Sequence, residues 1–234
     1  LAAKELALFK KYIQKRIEGF SAAAIIGKKE FMGLTLKVNE QVLIPRPDTE
    51  TWLEKVIQYY RNETGLKVAD LGTGSGAILV GFLYYCRDAV GVGVDISTEA
   101  LKIAEENGQN LKITDRVEWR QGDYLKAFDE EDIFDGIFSN PPYIPTKDIG
   151  GLSREVKHEP RLALDGGTDG LYFYHLLAKG AAEHLKPGGF LAVEFGIGQA
   201  TDILEMFRKS AQYEDFEVIK DYGGIERALY CRKK

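Results

Sequence analysis

The chain has 234 residues, 44% hydrophobic and 29% charged, with a formal net charge of −5. That length holds one large globular domain with a small addition, and the composition excludes collagenous, disordered and coiled-coil chains. The acidic balance argues against a protein whose main task is non-specific binding to a phosphate backbone, which needs a dense basic surface. No apolar run reaches membrane-spanning length, and the first residues carry Lys4, Glu5, Lys10 and Lys11 rather than a secretory pattern. Cys86 and Cys231 stand in apolar surroundings with no CxxC and no histidine cluster nearby, so neither a disulfide framework nor a zinc site is expected. A cytoplasmic protein fits. The numbering starts at Leu1 rather than at a methionine, and the parent chain is expected to be longer.

Leu6, Phe9, Ile13 and Ile17 recur at spacings of three and four among Lys10, Lys11, Lys15 and Arg16, which describes an amphipathic helix whose apolar stripe needs a partner. Lys28 to Phe31 and Leu34 to Val38 read as two short strands of a hairpin around Met32-Gly33. In Ile44-Pro45-Arg46-Pro47-Asp48-Thr49-Glu50 two prolines stiffen a linker, and Asp48 is expected to cap the next helix, whose buried face is Trp52, Leu53, Val56, Ile57 and Tyr60. A guanidinium between two prolines is positioned rather than free. Arg46 is therefore a candidate substrate contact, although a solvated linker charge has the same sequence.

From Lys67 onward strands and helices alternate. Val68-Ala69-Asp70-Leu71 runs into Gly72-Thr73-Gly74-Ser75-Gly76, and the helix Ala77 to Tyr85 follows at once. Strand, glycine loop and helix start make an anion or nucleotide site, because glycines let a ligand approach the backbone and the helix start presents unpaired N–H groups. The spacing is G-x-G-x-G, not the G-x-G-x-x-G of pyrophosphate binders. The strand Ala89 to Val94 ends in Asp95, about 20 residues past the glycines, where a carboxylate reaches a ribose hydroxyl pair. The strand Val117 to Gln121 is followed by Gly122-Asp123-Tyr124. These acidic strand ends gather at the carboxyl edge, where ligands bind in an open α/β sheet.

The apolar run Ile133 to Phe138 leads into Ser139-Asn140-Pro141-Pro142-Tyr143. Two prolines remove two N–H donors and fix two φ angles, so the carbonyls of Asn140 and Pro141 project from a rigid extended segment. With the side-chain carbonyl of Asn140 and the ring of Tyr143, the segment offers acceptors for a planar NH2 group and a surface to stack on it. A Pro-rich strand exit with a solvent-facing Asn has the same local sequence, and it is the neighbouring strand ends that favour a site. The region Ile144 to Gly170 is long, polar and glycine-rich, the pattern of a functional loop or lid, with His158 expected at its surface. A helix over Leu171 to Leu185, closed by Lys186-Pro187-Gly188-Gly189, a fifth strand Phe190 to Phe195, a helix Thr201 to Lys209, and strands Phe216 to Lys220 and Ala228 to Cys231 complete the chain.

Asp70 to Gly76, Asp95, Asp123-Tyr124 and Asn140 to Tyr143, in that order and spacing, resemble a class I S-adenosylmethionine-dependent methyltransferase. Leu43 to Glu50 and Glu159-Pro160-Arg161-Leu162-Ala163-Leu164-Asp165-Gly166-Gly167 resemble, within that superfamily, the release factor glutamine methyltransferases, from about Ile26 to the C-terminus. The resemblance implies a Rossmann-like α/β fold, a seven-stranded, mostly parallel sheet with a last antiparallel strand, preceded here by a short helix and a β-hairpin. It implies that Asp70, Gly72, Thr73, Gly74, Ser75 and Gly76 wrap the methionine part of S-adenosylmethionine, that Asp95 and Ile96 hold the ribose side, and that Asp123 and Tyr124 flank the adenine. Asn140, Pro141, Pro142 and Tyr143 are then the catalytic and substrate-binding residues, with Arg46 a further substrate contact. Residues 1–47 are expected to be the remnant of a helical substrate-docking domain, and residues 48–234 the methyltransferase domain.

The implied reaction is methyl transfer to the glutamine amide of a Gly-Gly-Gln loop in a peptide chain release factor, giving S-adenosylhomocysteine. The sulfonium is already a strong electrophile, so no metal is expected, and the expected partner of this monomer is a protein rather than a stable nucleic acid or a membrane. Three alternatives stay open: a ribosomal-protein glutamine methyltransferase, disfavoured by Pro47 to Glu50; a nucleic-acid adenine amino-methyltransferase, which presents the same planar NH2; and a non-catalytic binding subunit, against which intact Asp95 and Asn140 count.

Overall fold

The computed structural model describes residues 3–234; Leu1 and Ala2, at the head of the expected N-terminal segment, lie outside them. The amphipathic pattern forms helix α1 (Ala3–Glu18), followed by a short helix α2 (Ala22–Ile26) whose Ser21 cap accepts from the Ala24 N–H at 3.2 Å. No side chain of α1 is buried: Leu6, Phe9, Ile13 and Ile17 are 43%, 55%, 44% and 63% exposed, so the stripe finds no partner among the described residues. The end of the helix is tied down. Arg154 donates to the Ile17 carbonyl at 2.8 Å, Arg16 pairs with Glu155 at 2.8 Å, and the exposed His158 stacks on Phe20 at 4.1 Å.

Strands β1 (Lys28–Phe31) and β2 (Leu34–Lys37) form the expected antiparallel hairpin. Its inner face, Phe31, Leu34 and Leu36, is buried in one core with Trp52, Leu53, Val56 and Ile57 of helix α3 (Pro47–Tyr60). Asp48 does not cap α3 as expected. Pro47 already takes the first helical position, which its fixed φ suits, so Asp48 lies inside the first turn and its carboxylate pairs with Arg227 at 2.9 Å.

The alternating region follows as β3 (Lys67–Leu71), α4 (Ala77–Tyr85), β4 (Val90–Asp95), α5 (Thr98–Asn110), β5 (Val117–Gln121), β6 (Phe134–Ser139), α6 (Tyr172–Gly180), β7 (Leu185–Glu194), α7 (Ala200–Lys209), β8 (Tyr213–Lys220) and β9 (Glu226–Lys233). Seven strands pair in the order β5-β4-β3-β6-β7-β9-β8. The first five are mutually parallel, and β9 runs antiparallel to both β7 and β8. Strands covered on both faces must be apolar along their length, and Val68, Ala69, Val92, Val94, Ile137 and Phe138 are all buried. Helices α3 and α4 pack with the hairpin in one core, α6 and α7 in the other.

Two expectations change here. The helix expected over 171–185 ends at Gly180, and a 3-10 turn, Ala181–His184, leads into β7. Lys186-Pro187-Gly188-Gly189 is not a cap but an irregularity inside β7: Leu185 pairs with Phe134, the register shifts, and Phe190 pairs with Gly136. Beyond the shift the Phe190 ring lies across Gly136, where a Cβ would come within 2.0 Å of it. Overpacking of this kind costs about 1–3 kcal/mol. Gly136→Ala should lower the unfolding free energy by that amount in a denaturant titration, and Phe190→Leu in the same chain should recover part of it; an unchanged midpoint for Gly136→Ala would refute the packing argument.

Candidate active site

The chain winds outward from β3 to β5 and then returns to β6 on the other side of β3, so the loops leaving β3 and β6 diverge at the carboxyl edge. After β3, Gly72, Gly74 and Gly76 have φ of 72°, 56° and 78°, a left-handed backbone that other residues rarely adopt. The Gly72 and Thr73 N–H groups both donate to the Val94 carbonyl at 2.9 Å, fastening the loop to β4. Asp95, at the end of β4, accepts from the Gly74 N–H at 2.8 Å and from the Ser97 N–H at 2.9 Å. Burial raises its pKa against these backbone donors. Beside it the apolar side chain of Ile96 is 54% exposed. Asn107 of α5 steadies the loop from below by donating to the Ser75 carbonyl at 2.9 Å.

Asp70 is fully buried at the centre of this edge. Thr73 donates to its Oδ2 at 2.6 Å, while Oδ1 has no partner. Burial pushes the carboxyl up to about 7, and Thr73 counteracts this only in part. Tyr124 stacks on Phe173 at 4.6 Å and directs its hydroxyl at Gly72, where a Cβ would lie 2.9 Å away. That buried hydroxyl approaches Ser139 without reaching hydrogen-bond geometry, and the Ser139 hydroxyl is donated to the Leu71 carbonyl at 2.8 Å. Asp123 behaves differently from its neighbour: it is exposed and pairs with Lys126 at 2.5 Å.

Asn140 leaves the end of β6 with its Oδ1 buried and unpartnered, and its side chain lies beside Glu194 at the end of β7, whose pKa it lowers against the effect of burial. Pro141 and Pro142 are buried, and burial pushes the Tyr143 phenol up to about 12, which keeps it neutral. The 144–170 region folds back on this segment. The Ile144 N–H donates to the Leu164 carbonyl at 3.0 Å and the Gly166 N–H to the Ile144 carbonyl at 2.9 Å. A Cβ on Gly166 would sit 2.7 Å from the Pro142 carbonyl oxygen, so Asp165-Gly166-Gly167 carries glycine where the two backbones touch.

Arg46 is not a free cation. It pairs at 2.6 Å with Glu159, which is buried and also accepts from the Ile44 N–H at 3.2 Å. The Pro-Arg-Pro segment and the Glu159-Pro160-Arg161 segment are therefore clamped together beside the site. Sequence reasoning missed Glu159 and Glu194 as parts of it. Glu194 carries the same signal as Asp95, a carboxylate closing an apolar strand, and that signal was available in Ala192-Val193-Glu194.

Among the described residues three buried side-chain polar atoms lack a hydrogen-bond partner: Asp70 Oδ1, Tyr124 Oη and Asn140 Oδ1. All three lie at this one edge. Each such atom costs about 1–3 kcal/mol, so their concentration marks a place built to receive polar groups from outside the chain. A surface cavity of about 640 Å³ between the hairpin, α3 and the end of α4, lined by Met32, Glu50, Ile57 and Tyr85, shares none of these residues.

A family model described as a methyltransferase domain matches residues 62–194. The release factor glutamine methyltransferase of Bradyrhizobium diazoefficiens is 43% identical over 100% of this chain and 79% of its own length. That of Moorella thermoacetica is 40% identical over 100% of this chain and 82% of its own. In fold, the chain is similar to a methyltransferase from Pyrococcus furiosus, with a TM-score of 0.62 and 22% identity over 94% of this chain and 97% of that one. Identity at the level of the first two, sustained across the whole sequence, makes this chain a member of the release factor glutamine methyltransferase family.

Proposed function

We propose that the protein transfers a methyl group from S-adenosylmethionine to the side-chain amide nitrogen of the glutamine in the Gly-Gly-Gln loop of peptide chain release factors. The observation that carries this reading is the unpartnered, buried Asn140 Oδ1 on a proline-stiffened strand end, beside a glycine loop flanked by carboxylates. Family membership supports glutamine as the source of the NH2 group. The reading keeps the expectation of a cytoplasmic monomer acting on a protein, without a stable nucleic-acid partner.

The residues present fit the cofactor. Gly72 to Gly76 leave the backbone approachable, and the orphaned Asp70 Oδ1 and Tyr124 hydroxyl await polar partners next to them. Asp95 has acceptor capacity left for ribose hydroxyls after its two backbone bonds, and Ile96 offers an uncovered apolar surface beside it. Lys126 bonds Oδ2 of Asp123 alone, which leaves Oδ1 as an acceptor for an adenine. When bound, S-adenosylmethionine supplies an electrophilic methyl group on a positively charged sulfur.

Asn140 Oδ1 and the Pro141 carbonyl hold the two hydrogens of the substrate NH2, and Tyr143 packs on its plane. An amide nitrogen is a poor nucleophile, and a rotation barrier of about 18–20 kcal/mol scales the resonance at stake. Two acceptors contribute about 1.5–3 kcal/mol each as charge develops on the donor, whereas fixing the nitrogen in line with the methyl contributes about 7–11 kcal/mol. Positioning therefore dominates. Tyr143 is kept neutral by burial and is no base, so the amide proton leaves to water as the N–C bond forms.

Asp70 gives this reading a pH signature. Its carboxyl titrates at about 7 in the folded protein against 3.8 ordinarily, so the folded state keeps a proton that the unfolded chain has lost. Its contribution to stability therefore falls as pH rises from about 4 through about 7. A cationic ligand favours the ionised carboxylate, so calorimetric affinity for S-adenosylmethionine should climb with pH to about 7 and then level off, and Asp70→Asn should flatten that rise. A pH-independent affinity across that range in the parent would remove Asp70 from the site. Asp95→Ala should weaken the same affinity by about 1.5–3 kcal/mol; undiminished binding would contradict the ribose assignment.

The function itself is tested by incubating labelled S-adenosylmethionine with a release factor, its glutamine-substituted variant, and DNA or RNA. Label should enter the release factor alone, and Asn140→Ala should abolish most transfer while changing cofactor binding modestly. Methyl incorporation into nucleic acid but not the release factor would overturn the proposal.

A further inference from the structure

Glu194 is 3% exposed, and its carboxylate is held from two other elements. Thr49 Oγ1 donates to Oε2 at 2.6 Å and Trp52 Nε1 donates to the same oxygen at 2.8 Å, both from the first turns of α3. Asn140 follows the register pair Ser139–Val193 by one residue, as Glu194 does, so the two side chains leave neighbouring parallel strands side by side, and Asn140 lies close enough to lower the pKa of that carboxylate. With Oε2 holding two donors, Oε1 is the oxygen left for Asn140. The main chain is fixed as well, because the Tyr174 hydroxyl donates to the Glu194 carbonyl at 2.8 Å.

An asparagine amide is nearly symmetric in shape, but one end donates and the other accepts. Burial raises the pKa of Glu194, and the Thr49 and Trp52 donors oppose that rise; an ionised carboxylate only accepts, so it attracts the NH2 end of Asn140 and turns the carbonyl end away from itself. That end is the buried Oδ1 without a partner. The reversed amide would present its own NH2 to a substrate NH2, donor against donor.

We propose that Glu194 accepts from the Asn140 NH2 and is the positioning residue that sets the polarity of Asn140, and that Thr49 of the Pro-Arg-Pro-Asp-Thr-Glu segment and Trp52 two residues beyond its end hold Glu194 for that purpose. The inference rests on the reading of Asn140 as acceptor for a substrate NH2. It gives the segment at the start of α3 a role in the reaction through a chain of hydrogen bonds, Thr49 and Trp52 to Glu194 to Asn140, with no contact to the substrate required of it.

The test is a swap of donor and acceptor across the pair. In Glu194→Gln the new carbonyl oxygen accepts from Thr49 and Trp52, so its NH2 faces Asn140 and the asparagine turns over. The turnover number should fall about 100-fold while the dissociation constant for S-adenosylmethionine stays within about twofold. Asn140→Asp, which sets two carboxylates against each other, should fall as far. The double variant E194Q/N140D again places an oxygen toward the substrate and should recover at least about tenfold over either single change. A double variant as slow as the product of the singles would overturn the proposal. Should Glu194→Gln fail to fold, the parent labelled with ¹⁵N-asparagine decides: one Asn140 side-chain proton should be shifted downfield and exchange slowly, and a signal typical of an exposed amide would refute the bond. Release factor methylation by the parent is the control that separates the two proposals. Its absence defeats the proposed function, whereas a methylating parent with no recovery in the double variant defeats only the role of Glu194.

Discussion

A parallel sheet delivers every strand's exit to the same edge, and this one reverses its winding beside β3. The loops after β3 and β6 are thereby forced apart, leaving a crevice that the chain does not close with its own side chains. What makes the crevice a site is the cost of leaving polar atoms buried there. Asp70, Tyr124 and Asn140 each hold one such atom, while the hydrogen-bonding groups around them are otherwise satisfied locally. Hydrophobic cores on both faces of the sheet fix the strand ends and so hold these atoms in place.

The site is also stiffened from outside the sheet. The linker between the hairpin and α3 is joined to the 144–170 region by Arg46 and Glu159, and the first turns of α3 are joined to β7 by Thr49, Trp52 and Glu194. The 144–170 region is in turn laid along Tyr143 and Ile144 by backbone bonds and by glycines at the points of contact. Two sequence segments far apart in the chain thus serve one end, which is to immobilise the exit of β6. Since orientation of the amide nitrogen carries most of the proposed rate enhancement, rigidity there matters more than any single hydrogen bond.

Much of this was legible in the sequence, because the signals are local. Strand β3, the glycine loop and α4 are one continuous stretch with apolar residues, φ-permissive residues and a helix start in order, and the structure reproduces those boundaries. The carboxylate just inside the end of β3 and the one closing β4 were readable for the same reason. What escaped was decided by distant partners. Nothing near Arg46 in the sequence points to Glu159, which lies 113 residues away, and nothing near Asn140 points to Glu194. The cap assigned to Asp48 failed because Pro47 starts the helix one residue earlier, and the Pro-Gly-Gly turn was absorbed into β7 because Phe190 needed the open face of Gly136. Asp123 and Tyr124, read as a pair, differ in setting: Asp123 is exposed and paired with Lys126, whereas the Tyr124 hydroxyl is buried.

The central claim is that Asn140 presents an oxygen to an amide NH2. A structure of the protein with S-adenosylhomocysteine and a peptide containing Gly-Gly-Gln measures this most directly. The account predicts Asn140 Oδ1 within about 2.7–3.2 Å of the glutamine side-chain nitrogen, with that nitrogen turned toward the cofactor sulfur. A glutamine whose carbonyl oxygen faces Asn140, or a peptide bound away from the end of β6, would contradict it.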